Sequence, residues 1–257
     1  MADTGEALKS EPAAVRIFEA SEALAQAAAK ECVRLALETV EARGRFSIAL
    51  AGGSTPKRLY TLLASEQYPP STQFPWERTH FFWGDERHVP PDHADSNYRM
   101  AFETMLSKVP VVPSQVHRIK SENLDAAKAA QTYEEDLLQY FRLTQGTWPQ
   151  FDLVLLGLGP DGHTASLFPE TEVLDEMTRL AAAVWVPKFQ SWRITLTAPL
   201  LNHAAHVLFL VSGKDKAEAL RAVLQGDFEP HRFPAQLIRP AQGSQQWLVD
   251  RNAAALL

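Results

Sequence analysis

The sequence predicts an α/β domain: a mostly parallel sheet with helices on both faces. Three observations carry that expectation. Short, continuous apolar runs (FSIAL, FDLVLL, HVLFLV) recur along the chain, as strands buried on both faces require. Stretches rich in Ala, Leu, Glu and Lys lie between them at helical length. Several runs end in glycine turns, where a parallel strand hands the chain to a helix.

Taken in order, residues 1–12 are polar and acidic and read as a flexible lead, with residues 13–257 forming one catalytic domain. VRIFEA (15–20) is a first strand, and Ser21 is placed to cap an Ala-rich helix over 22–42 that Gly44 ends. The apolar positions of that helix, Leu24, Ala28, Val33, Leu35 and Val40, follow helical spacing only loosely, so composition carries the assignment. FSIALAGG (46–53) is a buried strand, after which Pro56 suits the first turn of a helix reaching about residue 65. THFFWGDE (79–86) is a second apolar run that stops in charge, followed by the loop HVPPDHADSN and a helix near 97–107. VHRIK (116–120) reads as a short strand and 123–143 as a helix of mixed charge. FDLVLLGLG (151–159), RITLT (193–197) and HVLFLVSG (206–213) are further strands, and a helix runs from Lys214 to about Leu224. QQWLVD (245–250) is the last strand, with a short terminal helix after it. No internal repeat, low-complexity stretch or composition break marks a linker.

Composition narrows the function. The chain has 257 residues, 46% hydrophobic and 22% charged, with a formal net charge of −6, so its global field does not attract nucleic acid or an anionic membrane. A phosphorylated ligand therefore needs a local cluster of donors and cations. Cys32 is the only cysteine, which excludes an intrachain disulfide and fits a cytoplasmic protein. The first residues lack the basic flank and apolar core of a signal peptide, and no run approaches the ~18 apolar residues of a membrane span.

Four strand ends carry candidate chemistry. After FSIALA, Gly52-Gly53-Ser54-Thr55 offers close backbone approach, two hydroxyls and a helix start, which together suit an anion. It lacks the lysine of a nucleotide-binding P-loop, and the plain alternative is a tight turn with Thr55 as helix cap. After FFW comes Gly84-Asp85-Glu86-Arg87, in which Arg87 is suited to grip a phosphate or polarise a carbonyl and Asp85 to bind sugar hydroxyls. The alternative there is a solvated loop with an ion pair; His88 and His93 have no recognised metal spacing and read as loop residues.

GLGPDGH (157–163) matches G-x-G-x-x-G after a strand, but three features oppose a dinucleotide site. Pro160 and Asp161 stand where the backbone should meet a pyrophosphate, and no acidic residue closes a second strand about 20 positions on; AVWVP is followed by Lys188 instead. His163 follows Gly162 directly, and an imidazole held in a glycine turn at a strand end is placed for general base catalysis, with Asp161 close enough in sequence to orient it. The fourth pair is Arg193, opening RITLT, and Lys216, just past VSG in a first helical turn, where a cation is unfavourable unless an anion compensates it. Ser166 lacks the G-x-S-x-G elbow of a nucleophilic serine.

With these loops in hand, the chain resembles the 6-phosphogluconolactonase branch of the glucosamine-6-phosphate isomerase/6-phosphogluconolactonase family. LAGGSTP, GDERHVPPDHADSNY, FDLVLLGLGPDGHTASLFP, RITLTAPLLN and VSGKDKAEAL carry the resemblance, in that order, over about residues 46–224. The resemblance implies a Rossmann-like α/β fold of the glucosamine-6-phosphate deaminase/ribose-5-phosphate isomerase type. It also implies hydrolysis of 6-phosphoglucono-δ-lactone in the pentose phosphate pathway, with no cofactor or metal required. By it, His163 matches the base that activates water; Gly53, Ser54, Thr55, Arg193 and Lys216 match positions around the phosphate, and Arg87 one near the substrate. Asp161 and Arg87 join His163 as expected catalytic residues, and Gly52, Asp85 and Gly162 join the expected binding set. The related deaminases carry a glutamate five positions after the histidine for sugar ring opening; this chain has Phe168 there, which moves no proton. A sugar-phosphate sensor without turnover is the non-enzymatic alternative.

Overall fold

The computed structural model describes residues 14–68 and 72–257, so the expected lead over 1–12 lies outside the described residues. In chain order the elements are β1 (Ala14–Phe18), α1 (Ser21–Arg43), β2 (Phe46–Leu50), α2 (Ser54–Leu63), β3 (Thr79–Trp83), β4 (Asp85–Arg87), α3 (Asn97–Thr104) and α4 (Ala126–Phe141). They continue with β5 (Leu153–Leu156), β6 (Ala181–Val186), β7 (Ser191–Leu196), α5 (Ala198–Asn202), β8 (His206–Val211), α6 (Ala217–Gln225) and β9 (Ser244–Asp250).

Six strands form one parallel sheet in the order β1-β9-β8-β5-β2-β3. Every residue of β2 and β5 is buried, which explains their unbroken apolar runs: helices and loops leave neither side to water. Tyr140 and Phe141 of α4 place their rings against Phe82 of β3. The weak periodicity of α1 has a simple cause. Its buried stripe includes Ala25, Ala28, Ala29, Cys32 and Ala36, small residues that let it lie close to its neighbours while contributing little hydropathy contrast. Ser21 does not cap this helix: Ala20 is the N-cap, no side chain caps it, and Ser21 is its first helical residue.

A second, three-stranded antiparallel sheet, β4-β7-β6, lies beside the first. RITLT therefore belongs outside the parallel sheet, and the charged DER segment is a strand rather than a loop. The four residues joining β6 to β7 are too few for a crossover, so an antiparallel hairpin is the only available connection. Gly84 is the corner between the sheets: its N–H donates to Leu50 of β2 at 2.9 Å, and its carbonyl accepts from Leu196 of β7 at 2.8 Å. VHRIK is not a strand. Only Val116 bridges Phe81, after which Arg118 pairs with Glu122 and the chain turns at Ser121. The segment from Lys214 opens as a 3-10 turn before α6, and residues 251–256 are turns rather than a helix.

Candidate active site

The strands on either side of the β2–β5 pair run outward in opposite directions through the sheet, with β3 beyond β2 and β8 beyond β5. Loops leaving such a switch point diverge and open a crevice at the carboxyl ends of the strands. A cavity of about 220 Å³ occupies it, walled by the loops after β2, β5 and β8 together with Gly84, Asp85 and Arg87.

The β2 end is held first. Tyr60 of α2 is fully buried and its hydroxyl both accepts from the Ala51 N–H and donates to the Ala51 carbonyl, at 2.9 and 2.8 Å. Gly53, at φ 101°, then starts α2, and no side chain caps the helix, so Thr55 is not the cap that a plain turn would need. Gly53, Ser54 and Thr55 line the cavity at the positive end of α2. Gly52 cannot carry a side chain, because a Cβ there would lie 2.0 Å from Asn97 Oδ1.

Asn97 ties this loop to β4. Its Nδ2 donates to the Asp85 carbonyl at 3.0 Å and to Asp85 Oδ1 at 3.3 Å, while Ser166 Oγ donates to Asp85 Oδ2 at 2.7 Å. The Ser166 hydroxyl is buried, donates to a carboxylate and lies outside the cavity lining. Glu86, 1% exposed, accepts from the backbone N–H groups of Arg87, Asn97 and Tyr98 and from Ser96 Oγ, fastening the start of α3 to β4. Burial pushes its carboxyl above the usual range, against the pull of those donors. Arg87 donates to the Asp95 carbonyl at 2.8 Å.

The β5 loop holds His163. Gly159 N–H donates to the His163 carbonyl at 2.8 Å, and Gly162 N–H donates to the Gly159 carbonyl at 3.0 Å, closing a compact turn. A Cβ on Gly159 would sit 1.9 Å from His163 Nδ1 and 2.6 Å from Asp161 Oδ1, so the imidazole fills the space that glycine leaves. Asp161 Oδ1 makes a close hydrogen bond with His163 Nδ1, and Asp161 Oδ2 accepts from Lys188 Nζ at 2.9 Å. Burial acts to raise the Asp161 carboxyl, but the bonds from His163 and Lys188 outweigh it and hold the group well below the usual carboxylate range. An ionised carboxylate only accepts, so the proton of neutral His163 resides on Nδ1 and the lone pair on Nε2. Phe168 stacks on the ring at 4.1 Å.

Of the residues predicted from sequence, Gly52, Gly53, Ser54, Thr55, Asp85, Arg87, His163 and Lys216 line the cavity. Asp161 stands behind His163. Gly162 lies away from the cavity lining, packed on Phe233, with its carbonyl accepting from the Ala235 N–H at 2.9 Å. Arg193 also lies outside the lining: in the β4–β7 register it faces Arg87, and its guanidinium donates to Ser191 Oγ and the Trp192 carbonyl. Burial, with Arg87 adding like charge, lowers its proton affinity. Lys216, mostly buried, pairs with Asp215 at 2.9 Å. His88 and His93 bond the Asn123 carbonyl and the Asp95 N–H, as loop residues. Among the described residues, no group of three or more His, Cys, Asp or Glu could hold a metal ion, and no helix is long and apolar enough to cross a membrane. Sequence reasoning missed Asn97 and Lys188 as parts of the site; Asn97 sits in the DSNY segment that carried the resemblance, and Lys188 follows a strand-like run.

Comparison with known proteins places the site in context. A sequence profile described as glucosamine-6-phosphate isomerases/6-phosphogluconolactonase matches residues 19–247. A 6-phosphogluconolactonase of Synechocystis is 44% identical over 216 residues, covering 84% of this chain and 86% of its own. The structure of a 6-phosphogluconolactonase from Trypanosoma cruzi superposes with a TM-score of 0.84 at 31% identity, covering 96% of this chain and 98% of that one. A monomeric glucosamine-6-phosphate deaminase has a TM-score of 0.77 at 22% identity, covering 95% of this chain and all (100%) of its own, a likeness of fold alone.

Proposed function

The chain belongs to the glucosamine-6-phosphate isomerase/6-phosphogluconolactonase family, and we infer from that premise that it hydrolyses 6-phospho-D-glucono-1,5-lactone to 6-phospho-D-gluconate. One observation carries the chemistry: His163 is held on its Nδ1 side by Asp161 and on its face by Phe168, in a cavity whose other walls hold Lys216 and the uncapped start of α2.

The phosphate binds at Ser54, Thr55 and the backbone of Gly53, with Lys216 alongside; Arg193, beside Arg87, adds positive potential. This local cluster overcomes the unfavourable net charge of −6. Anchored there, the lactone presents C1 to His163. Nε2 removes a proton from water as its oxygen bonds to C1, and the carbonyl π electrons move onto oxygen. Arg87 and loop N–H groups stabilise that oxyanion. Collapse breaks the bond from C1 to the ring oxygen, which takes the proton from His163. Asp161 stabilises the transient imidazolium, and Asp85, fixed by Asn97 and Ser166, accepts from sugar hydroxyls.

Phe168 supports hydrolysis over deamination, since it stacks on the base where ring opening needs a proton carrier. A single domain over 13–257, a cytoplasmic location and the absence of a nucleic-acid partner complete the reading. The test is acid release from freshly prepared 6-phosphogluconolactone above its spontaneous rate. His163→Ala is expected to lose roughly 10²–10⁴-fold in kcat. Normal activity in that variant overturns the base, and tight binding without turnover by the unaltered protein supports a sensor instead. Unchanged KM for the non-phosphorylated lactone overturns the phosphate anchor.

A further inference from the structure

The turn between β6 and β7 is a 3-10 turn over Pro187–Phe189, closed by Gln190 at φ 46°. Its two tip side chains diverge. Lys188 reaches Asp161 Oδ2 at 2.9 Å, and Phe189 meets Phe168 edge-on, with ring centroids 5.7 Å apart and planes at 77°. Asp161 and Phe168 both contact the His163 imidazole, one at Nδ1 and one on its face. The hairpin tip thus buttresses both supports of the base, although Lys188 stands 27 positions from Asp161 and Phe189 stands 21 from Phe168 in sequence.

We propose that Lys188 is a positioning residue for His163, acting through Asp161; the proposal rests on the reading of His163 as the base. With Oδ2 held by Lys188, the carboxylate is turned so that Oδ1 meets the imidazole, and rotation of the carboxyl group away from Nδ1 is opposed. The ammonium also offsets part of the carboxylate's charge, so the imidazolium formed during turnover is less stabilised and returns its proton more readily. The charged groups around the ring are Asp161 from its own loop, Lys188 from the hairpin, Asp85 and Arg87 from β4, and Lys216 from the loop after β8. Among these, Lys188 bonds Asp161. The Lys188 side chain is 55% exposed, so water screens the pair and its effect is moderate.

The experiment compares Lys188→Met and Lys188→Arg with the unaltered enzyme on 6-phosphogluconolactone, across the acid limb of kcat/KM. Lys188→Met is expected to lower kcat about 2–5-fold with KM unchanged. It also moves the acid limb up by roughly half a pH unit, because His163 then holds its proton more tightly beside an uncompensated carboxylate. Lys188→Arg restores both quantities, and in an Asp161→Asn background Lys188→Met has no further effect. A raised KM with kcat intact would make Lys188 a substrate contact and overturn the proposal. An unmoved acid limb, or an equal loss without Asp161, also overturns it. Failure of the base reading itself shows separately, as normal activity in His163→Ala.

Discussion

His163 and Phe168 lie nearly face to face, ring centroids 4.1 Å apart and planes 25° from parallel. The contact sets the plane of the imidazole while Asp161 sets its rotation within that plane, so the ring has one productive pose. With His163 as the proposed base, Phe168 orients the imidazole and exchanges no proton with it.

Gly159→Ala tests how closely the loop is fitted. A Cβ at 1.9 Å from Nδ1 must push the imidazole from its pose. Displacement on the scale of an ångström reduces kcat by about 10²-fold. Steady-state kinetics check this, and a melting curve close to that of the unaltered protein shows that the fold is intact.

Ser166→Ala separates support from nucleophilic attack. It removes a 2.7 Å bond to Asp85 and leaves His163 untouched. Stability is expected to fall by about 1.5–3 kcal/mol, the range for a hydrogen bond to a charged group, and activity by no more than about 10-fold. Complete loss of turnover in a folded variant would restore the serine to the mechanism.

Lys216→Met addresses the phosphate. Losing one charge-assisted contact raises KM for the phosphorylated lactone by about 10–100-fold with a small change in kcat. Equal loss on a lactone without phosphate contradicts the assignment.

A pH dependence follows at the opposite end of the sheet. His80 lines a cavity with Arg45, bonds His117 at 3.2 Å, and is pushed down to about 4 by burial and by the neighbouring His117 and Arg45. The unfolded imidazole takes its proton near 6.5, the folded one only near 4, so stability is complete above the higher value and falls as pH drops between the two. His80→Gln is expected to remove about 1 kcal/mol of that loss, after allowance for solvent screening. Urea unfolding at either end of the window measures it; identical slopes for both proteins refute it.

The central strands were legible in the sequence because burial on both faces leaves a continuous apolar run, as in β2, β5 and β8. The second sheet was not, because β4 is three charged residues whose extended form comes from pairing with β7, more than a hundred positions on. VHRIK shows the reverse, a strand-like composition with a single bridge to β3. In the site, His163, the β2 loop, Arg87 and Lys216 could be read because each ends a recognisable strand. Asn97 and Lys188 act through partners 12 and 27 residues away, and no local pattern marks such contacts. Arg193, expected around the phosphate, pairs with Arg87 in the antiparallel register and stands beside it, outside the cavity lining.

Gly84 joins the two sheets through main-chain bonds to Leu50 and Leu196. The span between Arg87 on one sheet and the Gly53–Thr55 turn on the other is consequently gauged by peptide ladders, which side-chain exchange alters little. On the proposed binding of the phosphate at the Gly53–Thr55 turn, selectivity for substrate length is expected to follow the backbone, and to change on insertion or deletion at this corner.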